Sequence, residues 1–138
     1  MAAQRLVVNL VTPKGVVARD EVDGVTAPGE LGEFELLPGH VPLLTSLDPG
    51  VVTLGTKPGS PRFAVSVGYL RVDRAGTVEI LVDEAMRSTD VDVEVARKDL
   101  AAAEADIAKW GDKPFDGDRR TLEHRAKWAH ARIDAASH

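Results

Sequence analysis

The residues of this 138-residue chain that could do chemistry are four histidines, its carboxylates and a few serines, and none is spaced to do it. His40 follows a Pro38-Gly39 turn, whereas His124, His130 and His138 all lie near the C-terminal end. A zinc site needs several His, Cys or carboxylate ligands at short range, and no such spacing surrounds His40. There is no cysteine, so neither thiolate ligands nor disulfides are available, which fits a reducing compartment. Ser46, Ser60, Ser66 and Ser88 fall in strand or turn contexts without a nucleophile elbow. Glu33 and Glu35 could pair for acid–base work, although charges bordering a turn are more often simply solvated. The glycines punctuate turns, and none forms a phosphate-cradling loop that opens a helix. No catalytic constellation, metal site or cofactor is expected.

The stretch Gly32 to Leu44 crowds turn chemistry, a lone histidine and an apolar run together. Phe34, Leu36 and Leu37 suit a short buried strand. Proline fixes φ at the first position of a turn and glycine accepts positive φ at the next, so Pro38-Gly39 predicts a tight reversal presenting His40. Val41 to Leu47 reads as a second apolar strand. Pro42 has no N–H for a ladder, which predicts a sheet edge there.

Hydrophobic content of 43% and charged content of 28% describe a globular chain. A net charge of −5 argues against nucleic acid as a partner. No stretch approaches the roughly 20 apolar residues of a membrane span, and Met1 to Arg5 lacks a signal-peptide pattern. A cytoplasmic protein is expected, with membrane contact through a complex at most.

The elements that must position these residues change character near Ser88-Thr89. Before it, the period is two. Leu6, Val8 and Leu10 alternate with Val7, Asn9 and Val11. A strand starting at Val16 continues through the valines of Asp20 to Ala27 and ends at Pro28-Gly29. Val51 to Leu54, Phe63 to Val67, Tyr69 to Val72 and Val78 to Val82 are separated by Pro/Gly turns, with Lys57 to Pro61 as a hairpin tip. Nine or ten short strands predict a sandwich or barrel rather than a parallel doubly wound sheet.

After Asp90 the period is three and a half. Val93, Ala96, Leu100, Ala103, Ile107 and Trp110 make one seam on a helix from about Asp92 to Lys109, with Asp90 or Thr89 as its N-cap. Gly111 to Gly117 breaks it. A second helix, capped by Asp118, carries Leu122, Ala126, Ala129, Ile133 and Ala136. The fold class is α+β in two parts, an antiparallel β-sandwich over 1–88 and an antiparallel helical hairpin over 89–138. Alanine buries little surface at ~25 cal/mol per Å², so the hairpin is expected to be a weakly held, movable arm. Residues 119–138 carry five basic groups against Glu123 and Asp134. That basic helix could dock an acidic partner or pair with the acidic first helix. Trp110 is in register with its seam, and Trp128 lies one position off the second, at the border facing the sandwich or another subunit.

The chain resembles the epsilon-subunit family of bacterial F-type ATP synthases over essentially its full length. The resemblance rests on Val11-Thr12-Pro13, Gly32-Glu33, Leu36-Leu37-Pro38-Gly39-His40-Val41-Pro42-Leu43-Leu44, Pro49-Gly50-Val51, Gly68-Tyr69-Leu70-Arg71-Val72, Val78-Glu79-Ile80-Leu81 and Val91-Asp92. The Leu-Pro-Gly-His-Val-Pro-Leu string is the specific part. The resemblance implies a non-catalytic rotor subunit of the central stalk, on the cytoplasmic face of the plasma membrane, that couples proton flow to ATP synthesis. Its sandwich would bind the gamma subunit and rest on the c-ring. Glu33 matches the loop position facing the c-ring and His40 the position contacting gamma, with Leu37, Pro38, Val41 and Pro42 beside them. The hairpin would reach the alpha and beta subunits through Arg119, Arg120, Arg125 and Arg132 and inhibit ATP hydrolysis. The alternative is a free-standing sandwich binding carbohydrate or peptide, with the helical arm as a dimerisation device.

Two departures stand out. Glu35 occupies a position where the family commonly has glycine. Some members bind ATP through Ile/Leu-Asp-x-x-Arg-Ala and two arginines four apart on the second helix. Here the motif reads Val91-Asp92-Val93-Glu94-Val95-Ala96, and Trp128 replaces the first of those arginines, leaving Asp92, Ala96 and Arg132 as the matching residues. A charge-assisted hydrogen bond from a guanidinium to phosphate is worth ~1.5–3 kcal/mol, and two such guanidiniums are missing from this chain. Calorimetry on the isolated chain is expected to find weak or no ATP binding; a submicromolar Kd would overturn this reading.

Overall fold

The computed structural model describes residues 5–114 and 116–137; Met1 to Gln4, Phe115 and His138 lie outside them. Ten strands are followed by two helices: β1 (Leu6–Thr12), β2 (Gly15–Val22), β3 (Val25–Gly29), β4 (Gly32–Leu36), β5 (Leu43–Leu47), β6 (Gly50–Leu54), β7 (Arg62–Val65), β8 (Gly68–Val72), β9 (Thr77–Val82), β10 (Ala85–Arg87), a 3₁₀ turn at Ser88–Asp90, α1 (Val93–Trp110) and α2 (Gly117–Ala136). Hydrogen bonding runs in the order β10-β7-β6-β3-β5-β8-β9-β1-β2, with β4 paired to β3. The ladder narrows to the single pair Gly29↔Leu47 between β3 and β5, and the sheet folds over there into two layers. One core lies between them, with Phe63, Leu36, Leu70 and Ile80 among its fully buried side chains.

The period-two reading of the first half holds, and the differences are local. The pairs are antiparallel except β1 with β9, which run parallel from Val7↔Thr77 to Val11↔Leu81. The strand expected to run unbroken from Val16 to Gly29 is split at Asp23-Gly24. Gly24 is buried under Thr56 and Leu37, where a Cβ would meet Thr56 Cγ2 at 2.7 Å, and its carbonyl accepts from Gly55 N–H at 2.8 Å. The Asp23 carboxylate accepts from Thr56 Oγ1 at 2.6 Å and Thr56 N–H at 3.0 Å. The Thr56 hydroxyl and then its N–H hold that carboxyl below its ordinary value of 3.8. This tie is therefore present above pH 3.8 and is lost as pH falls through the lowered value.

The turn at Pro38-Gly39 forms as expected. Gly39 has φ 87°, and His40 N–H closes the turn on the Leu37 carbonyl at 3.2 Å. The strand after it is shorter than expected, starting at Leu43 and leaving Val41 and Pro42 outside any ladder. Proline therefore sits ahead of the strand, where no ladder N–H is needed. β5 pairs along its whole length with β8 but touches β3 at one residue, so most of its other edge is open.

Both helical seams appear as read. Ala96 and Ala103 are buried on α1, and Ala129 on α2. The caps move by a residue or two. Asp92, not Asp90 or Thr89, caps α1 by accepting from Val95 N–H at 3.2 Å, because Ser88–Asp90 is taken up in the 3₁₀ turn. Asp116, not Asp118, caps α2 by accepting from Asp118 N–H at 2.9 Å and Arg119 N–H at 3.2 Å. Trp110 closes the loop end of the hairpin, its indole N–H donating to the Lys113 and Pro114 carbonyls at 3.2 Å.

A second face of α2, absent from the seam reading, packs on β6 and β7. Ala131 and Ala135 meet Ala64, with Trp128 and Val51 alongside. Ala64 points away from the sandwich core, between inward Phe63 and Val65, yet is fully buried because the helix covers it. At the β8–β9 ladder the backbones are similarly close: a Cβ on Gly68 would lie 2.0 Å from the Leu81 carbonyl oxygen and 2.7 Å from Val82 Cα. Gly68→Ala is expected to cost about 2–3 kcal/mol, read in thermal unfolding as a fall of several degrees in Tm.

Candidate functional site: two docking surfaces

Cross-strand register sets one row of side chains on the outer face of the second layer. Ser46 on β5 pairs Tyr69, Tyr69 pairs Leu81, Leu81 pairs Val11 and Val11 pairs Val16. Directly opposed residues point to the same face, so Tyr69, Leu81, Val11 and Val16 form a stripe across four strands. Tyr69 is 58% exposed, Leu81 46% and Val16 66%, a run of apolar surface with no covering element among the described residues. A shallow groove of about 380 Å³ follows it past Thr12, Pro13 and Gly68. The next row is Leu44, Arg71, Glu79, Asn9 and Arg19, where Arg71 and Glu79 form an ion pair at 2.7 Å. An apolar row bordered by charge is the anatomy of a protein interface.

The residues expected to face partners sit on the rim of the sandwich. Glu33 is exposed on β4, paired with Pro28, and Leu37 is half exposed. Pro38 is half-buried, and Val41 and Pro42 are exposed in the segment before β5. His40 is exposed, and its Nδ1–H donates to the Val41 carbonyl at 2.7 Å, which fixes the ring against its own loop. No group of three His, Cys, Asp or Glu residues capable of holding a metal occurs among the described residues. Glu35 is exposed on β4, opposite Thr26. Nothing in its surroundings accounts for a carboxylate there.

Three of the candidate arginines of the hairpin meet acidic neighbours, two of them across the helix pair. Arg119 pairs with Glu123 at 3.3 Å and Arg125 with Asp106 of α1 at 3.3 Å. Arg120 is exposed near the start of α2. Arg132 pairs with Asp99 of α1 at 2.9 Å, and its guanidinium lies 5.2 Å from the Trp128 ring centroid. The pairing of the basic second helix with the acidic first one is thus realised at Arg125 and Arg132.

Arg125, Trp128 and Arg132 line a cleft of about 420 Å³ with Asp99 and Glu84. Of the three residues matching a nucleotide motif, Arg132 alone lines it. Asp92 is engaged as the α1 cap, and Ala96 is buried in the seam. Seven residues of helix, about 10 Å of rise, separate Asp92 from the Asp99 carboxylate that holds Arg132. The arrangement offers a closed internal contact in which the guanidinium already has a carboxylate and a ring.

Sequence periodicity missed the apolar row because it reads the inward face of each strand. The signal was present: Val11, Val16, Tyr69 and Leu81 are apolar at outward positions, where alternation calls for polar residues.

The profile of the family described as "ATP synthase, Delta/Epsilon chain, beta-sandwich domain" matches residues 5–88. The whole chain is similar to the ATP synthase epsilon chain of Geobacter sulfurreducens, 40% identical over 134 residues, covering 97% of this chain and 95% of that one. It is also similar to the same chain of Geobacter metallireducens, 41% identical over 136 residues with the same coverages. Among solved structures, its fold resembles a chain of the Euglena gracilis mitochondrial ATP synthase OSCP/F1/c-ring assembly, with a TM-score of 0.78 at 24% identity, covering 100% of this chain and 84% of that one. A chain of the Tetrahymena thermophila mitochondrial central stalk and c-ring matches with a TM-score of 0.60 at 18% identity, covering 99% and 100%. The protein belongs to the ATP synthase epsilon-chain family.

The Arg132 side chain is 11% exposed and Asp99 52%. Removing the acceptor leaves a desolvated guanidinium, whereas a methionine keeps the stem on Trp128 without the charge. Asp99→Ala is expected to cost about 1–2 kcal/mol, discounted for the exposed carboxylate, and Arg132→Met less than about 1 kcal/mol. Unfolding followed by helical circular dichroism reads the order of the two.

Proposed function

We propose that this chain is a non-catalytic subunit of the central stalk of a proton-translocating F-type ATP synthase, joining gamma to the c-ring and restraining ATP hydrolysis through its hairpin. The observation that carries this reading is the similarity to epsilon chains across 97% of the sequence, sandwich and hairpin together. The chain acts as two units, residues 1–88 as the stalk sandwich and 89–138 as the regulatory arm.

The outer row of Tyr69, Leu81, Val11 and Val16 is suited to an apolar partner face, here assigned to gamma. His40, Val41 and Pro42, at the other end of the strands where His40 lies beside Arg5 and Arg74 to Gly76, are assigned to gamma as a separate contact. Glu33, on the exposed β3–β4 hairpin, is assigned to the c-ring. No described helix is long and apolar enough to cross a membrane. Residence at the cytoplasmic face of the plasma membrane therefore follows from the complex. No catalytic, metal or cofactor role is assigned, and the internal pairing of Arg132 supports a hairpin held without nucleotide.

The hairpin supports regulation by the way it is held. It meets the sandwich mainly through alanines, Ala131 and Ala135 on Ala64, and through the partly exposed Lys127–Asp48 pair, so it is bound loosely by comparison with the sandwich core. Once the arm is released and α2 parts from α1, Arg119, Arg120, Arg125 and Arg132 can turn to acidic surfaces of the alpha and beta subunits. The test is ATP hydrolysis by the purified complex with and without residues 90–138. Truncation is expected to leave assembly with gamma intact and to raise hydrolysis. Loss of assembly would count against the two-unit reading, and unchanged hydrolysis against the regulatory one.

A further inference from the structure

Arg62, the first residue of β7, reaches out of the sandwich to the end of α2. Its Nη1 donates to the Ala135 carbonyl at 3.0 Å and its Nη2 to the Asp134 carbonyl at 3.3 Å. Those carbonyls belong to the last turn, where backbone acceptors run out of intrahelical donors. That turn has no basic residue of its own. Ser137 gives local help, its N–H donating to Asp134 at 3.2 Å and its hydroxyl to Ile133 at 2.7 Å. The cation that complements the negative end of the helix dipole comes from the sheet.

We propose that Arg62 is the C-terminal cap of α2, supplied across the interface, so that seating the helix and ordering its last turn are one event. A guanidinium suits this task because its rigid fork presents two donors to two neighbouring carbonyls. The seat beside it is small, Ala131 and Ala135 against Ala64. Open crevices of about 740 Å³ and 580 Å³ run between α2 and the turns of the sandwich, the larger reaching as far as Arg62 and Asp134. Lys127 crosses the gap to Asp48 at 3.2 Å, but as a half-exposed pair it holds the helix only weakly. Docking is thus concentrated at the C-terminal end, where Arg62 acts. A hairpin that leaves the sandwich leaves its cap behind, and its final residues fray.

The capping stands on the geometry alone; its regulatory meaning rests on the reading of the hairpin as a releasable arm. The test is amide hydrogen exchange on the full chain at Asp134 to Ser137, in the native protein, R62K and R62A. Exchange there is expected to rise about ten-fold in R62A and by less in R62K, which keeps the charge but not the fork, while β7 and the core strands are unchanged. Equal rates in all three proteins would overturn the proposal. So would acceleration spread equally through the strands, since Arg62 would then merely stabilise the sandwich. R62K carries the comparison if R62A does not fold. Faster exchange in R62A without any rise in hydrolysis by the assembled complex would keep the cap and remove the regulatory reading.

Discussion

The contact on which the two-part architecture depends is the close approach of α2 to the back of β6 and β7. It is made possible by methyl groups. Ala64 on the sheet and Ala131 and Ala135 on the helix are small enough for helix and strand backbones to come near each other. A larger residue at Ala64 would hold the helix off the sheet, beyond reach of the Arg62 guanidinium. The same small size limits what the contact contributes, because each alanine removes little apolar surface from water. Closeness and weakness share one cause, and the proposed releasable arm needs both.

Much of this organisation was legible in the sequence. Most strands and turns followed from alternation and Pro/Gly punctuation, the short β10 excepted, and the two helical seams carry buried alanines at Ala96, Ala103 and Ala129 as read. What the sequence hid was two-faced burial. Ala131 and Ala135 lie off the α2 seam and looked like ordinary helix formers; Trp128 alone was placed at the seam's border facing the sandwich or another subunit, and it does pack on the sandwich. In the fold Trp128 lies at the junction of three elements, packed on the sheet cluster while Arg132 stacks on it and pairs with α1. Periodicity reports that a position is apolar, not which of two neighbours will cover it. The caps shifted for a related reason: several acidic residues precede each helix, and which one caps depends on where the preceding chain turns.

The site residues divide in the same way. His40 drew attention as a chemical group, and its ring is occupied by its own loop carbonyl. The basic residues of α2 drew attention as a charged face, and in this conformation two of them satisfy carboxylates of α1. The surface with the clearest character, the outward row through Tyr69 and Leu81, had no chemical signature at all. A register of four strands assembles it from single residues on separate strands, so it becomes visible only once the pairing is known.

The parallel pairing of β1 with β9 has a consequence for how the chain comes together. Val8 lies beside Val78, so the first strand made waits about seventy residues for its central neighbour. Contacts of that separation slow the search, because loop closure must precede the ladder that rewards it. Until β9 arrives, both edges of the β1–β2 hairpin are unpaired, and its inner face has little to pack against. The β1–β9 side of the sandwich is therefore closed late in synthesis, shortly before the helices emerge. The β6–β7 platform that seats α2 pairs strands close in sequence and does not wait for that closure.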